Sequence, residues 1–380
     1  DDGLNLDKEQ FEYWNLDNEP DIWGGTHDDV WKTNPEFEVF FQRYVHAAHL
    51  IRLQHPHVRL VGPVFTNEWQ WYNWNGSRIS YNGNQYVWLE YFILRVAEEQ
   101  QSSGIRLLDV LDIHFYPGET SPSHIVQLHR VFFDETYHYP GANGVRRTGA
   151  GGWDVNITKE YIFKRCSDWL EQYMGADHGV TFSVTESDIE GDNPNVTASW
   201  YASTLGEFAK QGVEIFTPWT NVNQPWKPGM DEVIHLFSRY SKALFVDAIS
   251  SEEIFVSAYP TISADNDSMT IFLINRHLTE SREVELHLAG FPVKSGFYKM
   301  YQLSDLPQNE TFVTHTNNAL KVSDLQVFDS KPEVQLPPLS VSAIVLTRLE
   351  NIQTPFGYLV AEAEAEDGSL TGVTVASSAP

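Results

Sequence analysis

Two glutamates in this chain stand where a carboxylate can do more than meet solvent. Glu19 lies in Tyr13-Trp14-Asn15-Leu16-Asp17-Asn18-Glu19-Pro20-Asp21-Ile22-Trp23, where an apolar stretch ends in an amide, a carboxylate and a proline. Glu186 ends a second apolar run, in Val184-Thr185-Glu186-Ser187. In an α/β barrel the C-terminal strand ends form the face where substrates sit, so both side chains address one cleft. Such a pair suits displacement at a sugar's anomeric carbon: one carboxyl protonates the leaving oxygen while the other attacks, about 5 Å away in a retaining reaction. Their distance in sequence is no obstacle, because closure of a barrel brings strand ends together. Either glutamate alone reads equally as a solvated or salt-bridged strand-end residue. Both together, with the barrel pattern and the aromatic content, support a glycosidase site.

The neighbours carry paired readings. Asn18 is placed either to hydrogen-bond a sugar 2-hydroxyl or to form the turn. His114 and Tyr116 share one strand face by the period of two, so one of them can orient Glu186; the alternative is a satisfied rim histidine and a core tyrosine. Trp219 ends the last barrel strand, as a floor for the reacting sugar or as barrel packing. Trp69, Trp71 and Trp74 follow one strand, and Trp23 and Trp31 follow another. Loop tryptophans on one face suit a polymer cleft, with at least two of these five expected as buried loop anchors. Cys166 falls among helix core positions and reads as packing.

These side chains need a scaffold, and the chain alternates strand-like and helical text to about residue 219. Strands are expected at 11–18, 58–62, 108–116, 180–185 and 213–219, with helices between them. In the first helix Phe37, Phe40, Phe41, Tyr44, Val45, Ala48 and Ile51 recur at helical spacing. Another helix is expected near 233–244. Beyond Phe245, alternating runs at 254–259, 269–275, 284–288, 298–303, 312–315 and 340–347 predict an antiparallel sandwich. Leu336-Pro337-Pro338-Leu339 leads into the last run, where prolines fit a strand start or edge. The expected domains are a barrel over 1–245, a β-sandwich over 246–350, and a linker over 351–380. Within that linker, the stretch Glu362 to Gly372 looks like the opening of a carbohydrate-binding module.

Composition narrows the partners. The chain has 380 residues and a net charge of −27, spread along its length, which disfavours nucleic acid and anionic membranes. Aromatics are 13% of residues, with 12 Trp, enough for both a large core and sugar platforms. A single cysteine allows no internal disulfide. No apolar run approaches the roughly 18 residues of a spanning helix, and the first residues lack signal-peptide character.

On these motifs the chain resembles glycoside hydrolase family 44, endo-β-1,4-glucanases and xyloglucanases of the retaining barrel clan. The resemblance rests on residues 13–20 with Trp23, on Thr26-His27-Asp28-Asp29-Val30, on Val61-Gly62-Pro63, on residues 108–117, on Phe133-Asp134-Glu135-Thr136-Tyr137 and on Thr185-Glu186. It implies that Glu19 is the general acid/base on the fourth strand of a (β/α)8-type TIM barrel, Glu186 the nucleophile on the seventh, and a β-sandwich the following domain. Asn18, Trp23, His27, Trp69, Trp71, His114, Tyr116 and Trp219 are the expected substrate-binding residues. Ser187 departs from the pattern, which more often has an aromatic there.

The expected enzyme cuts β-glucan by double displacement, needs no metal or organic cofactor, leaves room for a structural calcium, is secreted, and is a monomer when full length. A same-clan xylanase or mannanase and a non-catalytic glycan-binding fragment are the alternatives. At about 42 residues per unit, an eight-unit barrel calls for on the order of 125 residues before Phe11, so the chain reads as strands 4 to 8 of a barrel. Such an arc is expected to expose two strand edges and an apolar inner face.

Overall fold

The computed structural model describes residues 10–76, 78–142, 144–146, 154–219, 227–307, 320–328, 331–349 and 372–375. By packing, the chain divides into two compact units. The first comprises residues 1–119, 130–190 and 212–219, the second 120–129, 191–211 and 220–380.

In the first unit, strands β1 (Tyr13–Asn15), β2 (Arg59–Pro63), β3 (Val110–Phe115), β4 (Thr181–Ser187) and β5 (Val213–Phe216) form one parallel sheet in chain order. Parallel strands joined in this order by helices are the repeating unit of a (β/α)8-type barrel. β3 lies mid-sheet and is buried along its whole length, as its apolar run requires when both faces are covered. Helices α1 (Phe37–Gln54), α2 (Trp88–Ser103) and α3 (Ile162–Met174) occupy three of the crossovers. α1 buries Phe40, Phe41, Tyr44, Val45, Ala48 and Ile51, the stripe read from the sequence. Tyr44 meets Phe92 of α2 edge-on at 4.9 Å, and its hydroxyl donates to the Leu107 carbonyl at 2.9 Å. Cys166 is buried in α3.

The sheet is strongly curled. Tyr13 Oη on β1 donates to Glu214 on β5 at 2.7 Å, and Arg59 on β2 donates to the same carboxylate at 2.8 Å. Thr181 on β4 also donates to Glu214. A bond between the first and fifth strands can only cross the concave face, so at the strands' N-terminal ends that face is polar where an apolar one was expected. Among the described residues β1 pairs only with β2 and β5 only with β4. Tyr13 and Trp14 on β1 are accordingly exposed.

The second unit holds α4 (Pro194–Gln211), α5 (Met230–Tyr240) and two sheets. Its strands are β6 (Leu244–Phe245), β7 (Ala248–Ser250), β8 (Val256–Ile262), β9 (Ser268–Asn275), β10 (Arg282–Leu288), β11 (Gly296–Leu303), β12 (Leu320–Val327), β13 (Glu333–Leu336), β14 (Ser340–Thr347) and β15 (Gly372–Val375). The orders are β12-β11-β14-β9-β8-β6 and β13-β10-β15-β7. Val256, Ile271, Leu273, Leu286, Leu336 and Ile344 are among the residues of the core. Gly206 of α4 is required: a Cβ there would stand 2.1 Å from the Tyr259 ring of β8. The expected run at 312–315 and the stretch 362–371 lie outside the described residues.

Candidate active site

Three strand-end extensions bring the side chains together. The Glu19 N–H donates to the Val64 carbonyl at 3.2 Å, which carries the β1 chain along β2 up to Glu19. The His114 N–H donates to the Phe65 carbonyl at 3.1 Å, so β3 meets the same rim. Between β3 and β4 the register jumps: Ile113 pairs with Val184, but His114 pairs with Glu186. Thr185 is the extra residue of a bulge, and it turns Glu186 to the face occupied by His114.

Asp112 holds that bulge. Its fully buried carboxylate accepts from Ser183 Oγ at 2.6 Å, from the Thr185 N–H at 3.1 Å and from the Thr185 hydroxyl. Burial pushes the Asp112 carboxyl up to about 6, against the pull of those hydrogen bonds.

The Glu19 segment is pinned with comparable care. Asp17 and Glu19 both take left-handed backbone, at φ 78° and 46°. Non-glycine residues there cost about 1 to 3 kcal/mol, so the surroundings must compensate. Trp23 Nε1 donates to the Asn18 carbonyl at 2.8 Å, and Asp21 accepts from the Thr66 hydroxyl. Asp21 is fully buried, and its carboxyl is pushed up to about 6, first by burial and also by the charge of Glu19.

The outcome is a compact polar cluster. His114 Nδ1 is 2.9 Å from Glu19 Oε1 and 3.5 Å from Glu186 Oε2, and Tyr116 Oη donates to Glu186 Oε2 at 2.7 Å. Oxygens of the two glutamates lie within 4.8 Å of each other. That matches the roughly 5 Å of retaining pairs and not the roughly 6.5 to 9.5 Å of inverting ones. Burial, then the hydrogen bond to Glu186 and the nearby carboxylates, raise the Tyr116 phenol far above its ordinary value, so it stays a donor. The donor set of Glu19, His114 and Glu186 is also small enough to span a metal ion, although within it His114 and Glu19 already share a hydrogen bond.

Comparison with known proteins meets this geometry. Residues 4–119 match the model of Glycoside hydrolase family 44. The resemblance to glycoside hydrolase family 44 holds. The chain is 25% identical over 305 residues to a beta-mannanase/endoglucanase A of Caldicellulosiruptor saccharolyticus, covering 73% of this chain and 22% of that protein. Among solved structures it resembles Cel44A, a family 44 endoglucanase from Clostridium thermocellum, with TM-score 0.72 and 19% identity, over 88% of this chain and 66% of that one. It also resembles a Paenibacillus polymyxa family 44 xyloglucanase with xyloglucan, with TM-score 0.70 and 18% identity, over the same shares. The chain thus spans about two thirds of these solved chains and under a quarter of the curated relative.

Against this family 44 background the expected substrate-binding residues separate into two groups. His114 and Tyr116 reach the glutamates, and His114 touches both where only Glu186 was expected. Asn18, next to Glu19 in the chain, is exposed, and so is His27, whose Nε2 lies 3.8 Å from Asp17. Trp219 is 46% exposed, and its backbone N–H donates to the Ser187 carbonyl at 2.9 Å, which ties its main chain to the strand end that carries Glu186. Trp69 is half-buried.

Trp23 and Trp71 are corrections: neither offers a ring face to a sugar. Trp23 is buried among Phe40, Trp31 and His27 while holding the Asn18 carbonyl. Trp71 is fully buried on Phe115 and donates to the His114 carbonyl at 3.2 Å. Both are anchors of the site's backbone. Sequence reasoning missed Asp21 and Asp112, although each lies two residues from a site residue in a motif already singled out.

Proposed function

We propose that this chain carries the catalytic pair of a retaining, endo-acting hydrolase of β-1,4-glucans, with xyloglucan and cellulose-type glucan as substrates. The approach of Glu19 and Glu186 to within 4.8 Å carries the reading. Glu186 attacks the anomeric carbon while Glu19 protonates the departing sugar; Glu19 then deprotonates the water that releases the glycosyl-enzyme. Tyr116 fits Glu186 to the nucleophile's role, because a phenol held as a donor favours the ionised carboxylate. The indole of Trp219 and the amide of Asn18 are the sugar-facing groups.

The chemistry needs neither a metal nor an organic cofactor, and a structural calcium, the one metal the reading leaves room for, would show as a chelator's effect on stability and not on the chemical step. A polysaccharide substrate too large to enter a cell supports secretion, and the full-length protein is read as a monomer. Reducing-end release on xyloglucan, cellulose, mixed-linkage glucan, xylan and mannan is the test. Release from the glucans supports the reading. Release from xylan or mannan alone replaces the substrate, and binding without release replaces the enzyme with a glycan-binding protein.

A further inference from the structure

His114 is held more firmly than a bystander at a rim needs to be. Its side chain is 1% exposed. Its backbone is fixed on both sides, the N–H donating to Phe65 and the carbonyl accepting from Trp71. Nδ1 faces both carboxylates, at 2.9 and 3.5 Å, while Nε2 is buried without a hydrogen-bond partner. Asp112, whose carboxylate accepts from Ser183 and Thr185, makes no hydrogen bond to Nε2.

These contacts fix the tautomer. An ionised carboxylate only accepts, and one of the two is ionised at each stage of the reaction, so the nitrogen that faces both must donate to whichever carries the charge. A proton on Nε2 alone would find no acceptor there and would turn the lone pair of Nδ1 against the carboxylate charge. The imidazole is therefore the Nδ1–H form, with one N–H and two acceptors for it.

We propose that His114 is a positioning residue whose single Nδ1–H is shared by Glu19 and Glu186 and leans to whichever carboxylate carries the charge. The proposal rests on the retaining reading and adds to it. Before attack Glu186 is the anion and Glu19 holds the proton to be donated, so the N–H turns to Glu186. In the glycosyl-enzyme Glu186 is an ester and Glu19 is the anion, so the N–H turns to Glu19. The proton stays on Nδ1 throughout, and no bond to it breaks. Only a small ring movement separates the two contacts, and Tyr116 keeps Glu186 supplied with a donor of its own.

Two measurements test this. In the full chain labelled with 15N-histidine, the His114 ring signals, assigned by their loss in His114→Asn, should show Nδ1 protonated and Nε2 bare. Glu19→Gln and Glu186→Gln should each move the Nδ1–H resonance. A protonated Nε2, or a resonance that answers to only one of the two glutamates, overturns the sharing. In kinetics, His114→Asn places an amide donor near the Nδ1 position, whereas His114→Gln carries its amide out towards Nε2. The glutamine variant should lose about 10- to 100-fold in kcat with little change in KM, as expected for a hydrogen bond to a charged group. The asparagine variant should recover most of that loss. Equal loss in both variants would reduce His114 to packing. Should no polysaccharide be hydrolysed, the reading of function fails, while the ring signals still decide whether the proton is shared.

Discussion

On the function proposed above, Glu19 and Glu186 have different tasks in a double displacement, and their replacements separate them. Without the nucleophile no glycosyl-enzyme forms, so Glu186→Gln should abolish turnover on every substrate. Without the acid, a leaving group that needs no proton can still depart, so Glu19→Ala should retain glycosylation of aryl glycosides with acidic phenols. Azide added to Glu186→Ala should yield an α-glycosyl azide, and added to Glu19→Ala a β-glycosyl azide. Inverted product configurations would exchange the two roles. Both glutamates were legible in the sequence because each ends an apolar strand. The fates of Trp23 and Trp71 were not, since residue type does not show which indole face a neighbour covers, and Phe40 and Phe115 cover these.

At the scale of elements, the bulge on β4 does the aiming and Asp112 holds it. The carboxyl of Asp112, buried and raised to about 6 from an ordinary 3.8, binds its proton more tightly in the folded chain than in the unfolded one. Between about pH 4 and 6 the folded state therefore holds more protons, and the stability owed to this group falls as pH rises through that window. Asp21 has the same direction and the same window. Urea denaturation across that range should show a shallower decline for Asp112→Asn than for the wild type; an unchanged slope would place the proton elsewhere. The opposite case is Asp109, which joins α1, β2 and the approach to β3 by accepting from Arg52 and Arg106, each at 2.5 Å, and from the Leu60 N–H at 2.8 Å. Burial pushes its carboxyl up, but these donors outweigh burial and leave it below its ordinary value. Asp109→Ala leaves the largely buried Arg52 charge with only the backbone carbonyls of Arg106, Pro56 and Val58, while the more exposed Arg106 can rehydrate, so a loss of about 3 kcal/mol in urea denaturation at neutral pH is expected. The helical stripe of α1 was legible because six buried positions recur at one spacing. β12 was not, because Lys321, Val322, Ser323 and Asp324 are successive exposed residues with no alternation to read. α4 and α5 were readable as helices, but not as partners of the sandwich. That depends on close approaches such as Gly206 to Tyr259 and the stacking of Phe237 on Phe272 at 4.0 Å.

Over the whole molecule, a net charge of −27 bears on how the proposed polymer substrate would approach the two glutamates. Asp17 and Asp188 add local negative charge beside the catalytic pair. A neutral glucan such as xyloglucan feels this field weakly, whereas carboxymethyl cellulose carries anionic groups along its length and is repelled. Salt removes the difference, since the screening length falls from about 30 Å at 0.01 M to about 8 Å at 0.15 M. On the function proposed above, kcat/KM for carboxymethyl cellulose should rise several-fold over that interval, while the value for xyloglucan stays nearly flat. Raising the degree of carboxymethyl substitution should steepen the salt response, because each added charge meets the same field. The gain belongs to encounter and not to chemistry, so kcat at saturating polymer should not follow the salt. A parallel rise for both substrates would show that salt acts on the protein itself, and a flat response for both would show that the field at the cleft is too weak to steer substrate.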